Sequence, residues 1–389
     1  MNEFDVIIVG AGPGGSACAK KLASAGLKVM MYDRRAEMGN PKRCGEGLDK
    51  KAEDLIGPIP ERCIAQHIKG ARVYAPNGKY LEAVVSYGGY VLERHVFDKW
   101  MATEAVKAGA KLQTNTLITN LIIEDGFVKG VKGHFIGQPF EARAKLVVCA
   151  TGAESPLPQQ TGLKTACSLN LIDTCIQYEM ANIDIDQDFI HIYMGNDIAP
   201  RGYVWIFPKG NGTANVGIGI VPGNKTPKEY LDEWIAKQPE LANASIIEVN
   251  GGIVPVGGLL KDMAANGFIV LGEAAHHVNA IHGGGIKEAI ISGQIAADVI
   301  NECLKKGDVS KAALSKFNEK WWSMRGDKMS RIEKLREVVE KLSDDDMNDL
   351  AEALKPEDLI DFAGGARLSV LAKALMRKPR LLALAKHLL

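Results

Sequence analysis

Cys44 stands between two cations and a glycine-rich turn, in the run Lys42-Arg43-Cys44-Gly45-Glu46-Gly47. Nearby positive charge lowers a thiol's pKa, and flanking glycines let a flat ring approach the sulfur. Such a thiol can assist protonation of a molecule held against it; the plainer reading is packing. Glu46 is a second proton source in the same turn, or else a solvated loop carboxylate. The first fifteen residues supply something for Cys44 to work against. An apolar run at 4–9 leads into Gly10-Ala11-Gly12-Pro13-Gly14-Gly15, and a helix-forming stretch comes next. G-x-G-x-x-G between strand and helix is the pattern of a dinucleotide site. Gly10 allows the tight turn, Gly12 lets the backbone approach a pyrophosphate, and Gly15 lets the helix pack on the strand. The helix N-terminus turns free N–H groups toward the phosphates. A second strand at 28–32 ends at Asp33, where a carboxylate accepts hydrogen bonds from a ribose.

Three features favour FAD over NAD. The run Lys145–Gly152, ending in Ala-Thr-Gly, reads as a later parallel strand returning to the site. Residues 267–276 form a strand ending in Gly272-Glu273-Ala274-Ala275. The glycine-rich Gly283-Gly284-Gly285-Ile286 then opens a helix to about residue 304, suited to a pyrophosphate or a flavin carbonyl edge. No second strand-to-helix G-x-G-x-x-G exists, so no dedicated nicotinamide domain is expected. Arg94 opens another helix, to about residue 107. Its charge suits a phosphate or the flavin edge, with an ion pair to Glu93 or Asp98 as the alternative. Tyr203, Trp205 and Phe207 alternate at strand spacing and share one face. They read as sheet-core aromatics or as a floor for an apolar chain. His276, His277 and His282 lack carboxylates or thiols at ligand spacing, so no metal site is expected.

Four segments resemble the geranylgeranyl reductase family, in particular the archaeal digeranylgeranylglycerophospholipid reductases. They are 41–47, Val91-Leu92-Glu93-Arg94, the P-x-x-Y-x-W-x-F-P pattern of 200–208, and the loop 272–286. The resemblance covers nearly the whole chain. It implies a flavoprotein of the para-hydroxybenzoate-hydroxylase-like fold that saturates isolated C=C bonds in the geranylgeranyl chains of an ether phospholipid. It implies FAD contacts from Gly15, Asp33, Arg43, Cys44, Gly45, Gly47, Arg94, Ile118, Glu273, Gly285 and Ile286, beside the motif glycines Gly10, Gly12 and Gly14. Ile118 would act through its backbone. Tyr203, Trp205 and Phe207 would line the lipid pocket. The chain departs from the family at Glu273, where the family carries Asp; the longer carboxylate reaches a ribityl hydroxyl from a shifted position. The electron donor is open between ferredoxin, a reduced deazaflavin and NAD(P)H. Two other classes stay open: an FAD monooxygenase of the same fold acting on aromatic substrates, and a flavin electron-transfer protein. A C-terminal iron–sulfur cluster is excluded within this chain, whose last cysteine is Cys303.

Composition and pattern indicate the elements that must position these residues. With 389 residues and 46% hydrophobic content, the chain supports two or three domains with large cores. Lys+Arg and Asp+Glu both number 47, which argues against a nucleic-acid partner. No 18-residue apolar run or signal peptide is read. The seven scattered cysteines suit reduced thiols in a cytoplasmic protein. The expected fold is α/β, with a Rossmann-type FAD-binding domain from 1–60, 93–155 and 260–303. An inserted antiparallel-sheet substrate domain comes from 61–92 and 156–259, and a helical C-terminal region from 304–389. Residues 362–389 hold six Lys/Arg and no Asp or Glu, interleaved with leucines. Such a basic amphipathic stretch reads as an anchor on an anionic membrane surface, or as a helix packed on its own domain. Pro379 is expected to break or kink it.

Overall fold

The computed structural model describes residues 3–221, 223–376, 381–382 and 385–386. Two eight-stranded sheets organise it. In the first, strand Glu3–Val9 lies between Val29–Tyr32 and Gln138–Cys149, parallel to both, and Phe268–Val270 and Lys111–Gln113 extend the parallel set. Parallel strands are covered on both faces and therefore read as continuous apolar runs. Val6, Ile7, Ile8, Val147, Val148, Ile269 and Val270 are all fully buried. Helices Pro13–Ser24 and Ile286–Lys306 cross so closely that a Cβ on Gly293 would lie 2.3 Å from the Gly14 carbonyl oxygen. That contact brings both helix N-termini to one place.

The second sheet is antiparallel except where Phe189–Tyr193 runs alongside Ile64–Tyr74. Its order is Ser245–Pro255, Ile172–Ala181, Thr213–Ile220, Tyr203–Gly210, Phe189–Tyr193, Ile64–Tyr74, Tyr80–Leu92 and Gly47–Asp49. The last strand differs from the sequence expectation, which put 47–49 in the dinucleotide domain. Gly47–Asp49 pairs with Tyr80–Leu92, so the Cys44 turn is strung between the two sheets.

Helices Asp327–Val339, Asp344–Ala353, Pro356–Ala363 and Leu368–Met376 close the open side of the second sheet. Here the described part of the basic stretch packs on the protein's own domain. Leu368, Leu371, Leu375 and Leu381 are buried with Leu335, Val338 and Leu342, while Met376 and Leu382 are exposed. Arg367 pairs with Asp361. The bend expected at Pro379 and the cations Arg377, Lys378 and Arg380 lie outside the described residues. No described helix is long and apolar enough to cross a membrane.

Candidate active site

One cavity of about 1170 Å³ runs between the two sheets and under the C-terminal helices. Every site residue named from the sequence lines it except Gly15. Gly15 lies beneath the first turn, where a Cβ would sit 1.9 Å from the Gly10 oxygen. Gly10 has φ +98°, and its Cβ would strike the Ala150 carbonyl at 2.3 Å. At Gly12 the space is open, with nothing within 4 Å of an added Cβ. The helices that start at Pro13 and Ile286 carry no side-chain cap, so their first N–H groups face the cavity unanswered by any carboxylate cap.

Asp33 is buried at the end of its strand. Its carboxylate accepts from the Ala11 and Arg35 backbone N–H groups, at 2.9 Å each, and so fixes the glycine loop. Ile118 is buried next to a break in strand register and lines the cavity. Glu273 leans over Gly152; burial pushes its carboxyl pKa up, against a hydrogen bond from the Ala153 backbone and the charge of Arg94.

A flavin dinucleotide fits these residues. Open backbone at Gly12 and two uncapped helix N-termini suit a pyrophosphate, and Asp33 suits a ribose. Pockets for drug-sized ligands run about 300–1,000 Å³, so this cavity has room for more than one such group.

The Cys44 turn is held differently from the expectation. Its flanking cations do not act on the thiol. Lys42 turns away to Glu179, Glu46 and Glu248, and Arg43 pairs with Glu154 at 3.0 Å in solvent. Burial pushes the Cys44 thiol up, although Arg94 draws it the other way and the Glu46 N–H donates to Sγ at 3.2 Å. Arg94 itself is desolvated, but its bidentate pair with Asp98, at 2.8 and 2.9 Å, keeps it charged. Arg94 is thus ion-paired to Asp98, as one of its two readings expected, and lines the cavity.

Glu46 is not a solvated carboxylate. It is fully buried, in a left-handed conformation at φ +76° between two glycines. It accepts from Lys209 Nζ (2.9 Å), Asn215 Nδ2 (2.7 Å) and the Arg94 N–H (2.8 Å). Lys209 also reaches Glu93 and Glu179. The lysines of this network, Lys42 and Lys209, are only 5% and 3% exposed and are answered by Glu46 and Glu179, while Glu93 and Glu248 reach toward water. Strain at Glu46 persists because these bonds over-determine it.

Tyr203, Trp205 and Phe207 do share a face, with successive ring centroids 5.8 and 6.3 Å apart. A Cβ on Gly45 or Gly47 would sit 2.9 or 3.0 Å from Phe207 Cε2, so the turn lies directly on the aromatic floor. Gln177, which sequence reading missed, ties floor to turn. It accepts from Trp205 Nε1 (2.9 Å) and donates to the Cys44 carbonyl (3.1 Å). Its only signal was a polar residue at an inward strand position. Tyr203 Oη donates to the His282 carbonyl at 2.7 Å. His276 and His277 face backbone carbonyls and Met263 respectively, and no metal-binding cluster occurs among the described residues.

Known proteins agree with this architecture. Residues 172–254 match the geranylgeranyl reductase catalytic domain, and residues 4–185 match the pyridine nucleotide-disulphide oxidoreductase family. The digeranylgeranylglycerophospholipid reductase of Methanocella arvoryzae is 40% identical, over 98% of each chain. A second reductase of that name, from Methanopyrus kandleri, is 38% identical over 100% of both. A geranylgeranyl bacteriochlorophyll reductase-like crystal structure from Thermoplasma acidophilum superposes with a TM-score of 0.90 at 35% identity, covering 100% of each chain. The flavin-dependent brominase Bmp2, at 18% identity, TM-score 0.72 and 94% coverage of each chain, shares the fold. With two such full-length relatives and the catalytic-domain match laid over the aromatic floor, this oxidoreductase belongs to the digeranylgeranylglycerophospholipid reductase family.

Proposed function

We propose that the protein saturates isolated C=C bonds in the geranylgeranyl chains of an ether phospholipid, with FAD as its cofactor and Cys44 as the proton source. The observation that carries the reading is the continuity of one cavity. It passes from the glycine loop, over Cys44 and the aromatic floor, to an apolar wall that includes Val73, Leu81, Ile192, Leu350 and Leu354. An isolated alkene becomes an alkane by gaining a hydride at one carbon and a proton at the other. FAD held there in its reduced form would supply the hydride, its electron pair coming from an external donor: ferredoxin, a reduced deazaflavin or NAD(P)H.

The chain's own residues do the rest. Gly10, Gly12, Gly14, Asp33, Arg43, Glu273, Gly285 and Ile286 hold the dinucleotide. An alkene offers nothing to hydrogen-bond, so position comes from shape, and Tyr203, Trp205 and Phe207 give a rigid surface for the chain. Cys44 keeps its proton on Sγ because burial disfavours the thiolate. Once that proton has moved to carbon, the sulfur's negative charge meets the Glu46 N–H and the Arg94 guanidinium.

The test is anaerobic. Chemically reduced holoenzyme is mixed with a geranylgeranylated glycerophospholipid, and flavin absorbance and lipid mass are followed. Flavin reoxidation with stepwise gains of two hydrogens is expected. A flavin that stays reduced beside unchanged lipid overturns the reading. Cys44→Ala should slow the rate at unchanged flavin loading, and an unaltered rate removes Cys44 from the chemistry. The raised thiol pKa fixes the sign of the pH profile. The wild-type rate should hold through neutral pH and fall only above the ordinary thiol range, as the proton is lost.

A further inference from the structure

Three cations line one stretch of the cavity wall. Lys287 lies in the first turn of helix Ile286–Lys306. Arg325 lies in the π-helical turn Trp322–Gly326, and Lys328 in helix Asp327–Val339. Asp49 and Glu288 share that stretch. Two of the cations are answered. Lys287 Nζ is 2.7 Å from Asp49, and Arg325 grips both oxygens of Glu288. Lys328 is half-buried, and its ammonium has no ion-pair or hydrogen-bond partner among the described residues. Burial first, and then the neighbouring Arg325, press its pKa below the usual lysine range. Three positive groups therefore stand against two negative ones, and the excess charge is Lys328. An ammonium drawn partly out of water without a partner is costly, and an anion beside it relieves that cost.

The surroundings say what kind of anion. Leu81 and Val85 of strand Tyr80–Leu92, with Leu359 and Ile360 of helix Pro356–Ala363, continue the same cavity as an apolar wall. That helix ends beside Lys328, whose Nζ is 3.8 Å from the position of a Cβ on Gly364. Tyr87, in the same wall, is 37% exposed, and Met324, next to Arg325, is 63% exposed, so solvent is close. A ligand with an anionic end and a long apolar remainder matches this sequence of surfaces. A π-turn inserts one residue into a helix and re-aims the next turn, and such insertions gather at functional sites.

We propose that Lys328, flanked by Lys287 and Arg325, binds the phosphate of the lipid substrate's headgroup. The proposal rests on the prenyl-lipid reading above and adds the end of the substrate that reading leaves free. A compact ammonium suits a phosphate as a point charge. Held there, the phosphate sets which end of the lipid faces out.

The experiment compares a geranylgeranyl ether of glycerol phosphate with the same ether lacking the phosphate, with inorganic phosphate as a third probe. Binding to the holoenzyme is read by quenching of tryptophan fluorescence, and hydrogen uptake by product mass. Wild type should bind the phosphorylated lipid about tenfold more tightly than the alcohol, the size of one charge-assisted contact. Lys328→Met should erase most of that preference by weakening the phosphorylated lipid alone, and Lys328→Arg should keep it. Equal binding of the two lipids by wild type overturns the proposal. So does a Lys328→Met variant that weakens both lipids alike or neither. Inorganic phosphate that binds wild type without competing with the phosphorylated lipid marks a free-anion site and also overturns it. If both lipids bind and neither gains hydrogen, the reductase reading fails while the headgroup site stands on its own binding data.

Discussion

At the glycine-loop end of the cavity the protein presents backbone; at the Cys44 end it presents side chains steadied by buried charge. The first surface is made by leaving atoms out. Gly10, Gly12 and Gly15 sit where a Cβ would collide with the chain or occupy the open space before the helix. The second is made by bringing groups in. Lys42, Lys209, Glu46, Glu179, Asn215 and Gln177 converge on one turn from three stretches of sequence. A surface of omitted atoms tolerates no addition, whereas a surface of paired charges tolerates no subtraction. The two should therefore fail under opposite kinds of substitution.

The largest effect tests the first half of that contrast. Gly15→Val would drive a branched side chain into the Gly10 carbonyl, in a helix–strand contact with no slack. Loss of soluble, flavin-loaded protein is expected, read by expression yield and flavin content. A folded, loaded variant would mean that the loop is more plastic than its geometry suggests.

Lys209→Met tests the second half. It leaves Glu46 and Glu179 with one fewer cation in a buried site, and removing one partner of a buried pair typically costs about 3–5 kcal/mol. Urea unfolding should show a loss of that order, with flavin still bound because the glycine-loop end is untouched. A neutral result would show that Asn215, Lys42 and the backbone hold the turn alone.

A graded effect, smaller within any one pH unit, comes from acid and belongs to the glycine-loop end. His277 is fully buried under the Gly272–Ala275 turn and stacked on Trp321 at 4.1 Å, and desolvation lowers its pKa to about 3. The folded protein thus keeps His277 neutral where the unfolded chain, with a pKa near 6.5, takes up a proton. Its contribution is complete above about pH 6.5 and is lost as pH falls toward 3. The slope within that window is at most about 1.4 kcal/mol per pH unit. His277→Phe should flatten the acid limb of a stability–pH curve, and an unchanged limb would place the acid sensitivity elsewhere.

The same contrast explains what could be read from sequence. The glycine turn, Asp33 and the aromatic alternation at 203–207 are short-range patterns whose geometry comes from spacing, so they were legible before any coordinates. The Cys44 environment was misread because sequence neighbours are not spatial neighbours. Lys42 and Arg43 point to carboxylates far along the chain, and the cation that acts on the sulfur is Arg94. Glu46 looked like a loop carboxylate because its partners Lys209 and Asn215 lie more than 160 residues away. Gly47–Asp49 crossed into the second sheet because three residues carry too little pattern to choose a partner. The leucines beyond residue 362 had the right periodicity for a membrane surface. Periodicity marks an apolar face but not what covers it, and here Leu335 and Val338 of helix Asp327–Val339 cover part of that face.

Arg336, on the helix Asp327–Val339, grips Asp173 of the second sheet at 2.7 and 3.2 Å and the Ala280 carbonyl of the loop before helix Ile286–Lys306 at 2.9 Å. All of these groups are buried, so swinging the helix outward would strand Asp173 without its counter-charge. The roof over the cavity is therefore riveted rather than hinged, so the cavity's shape is set by the fold and not by a swinging helix.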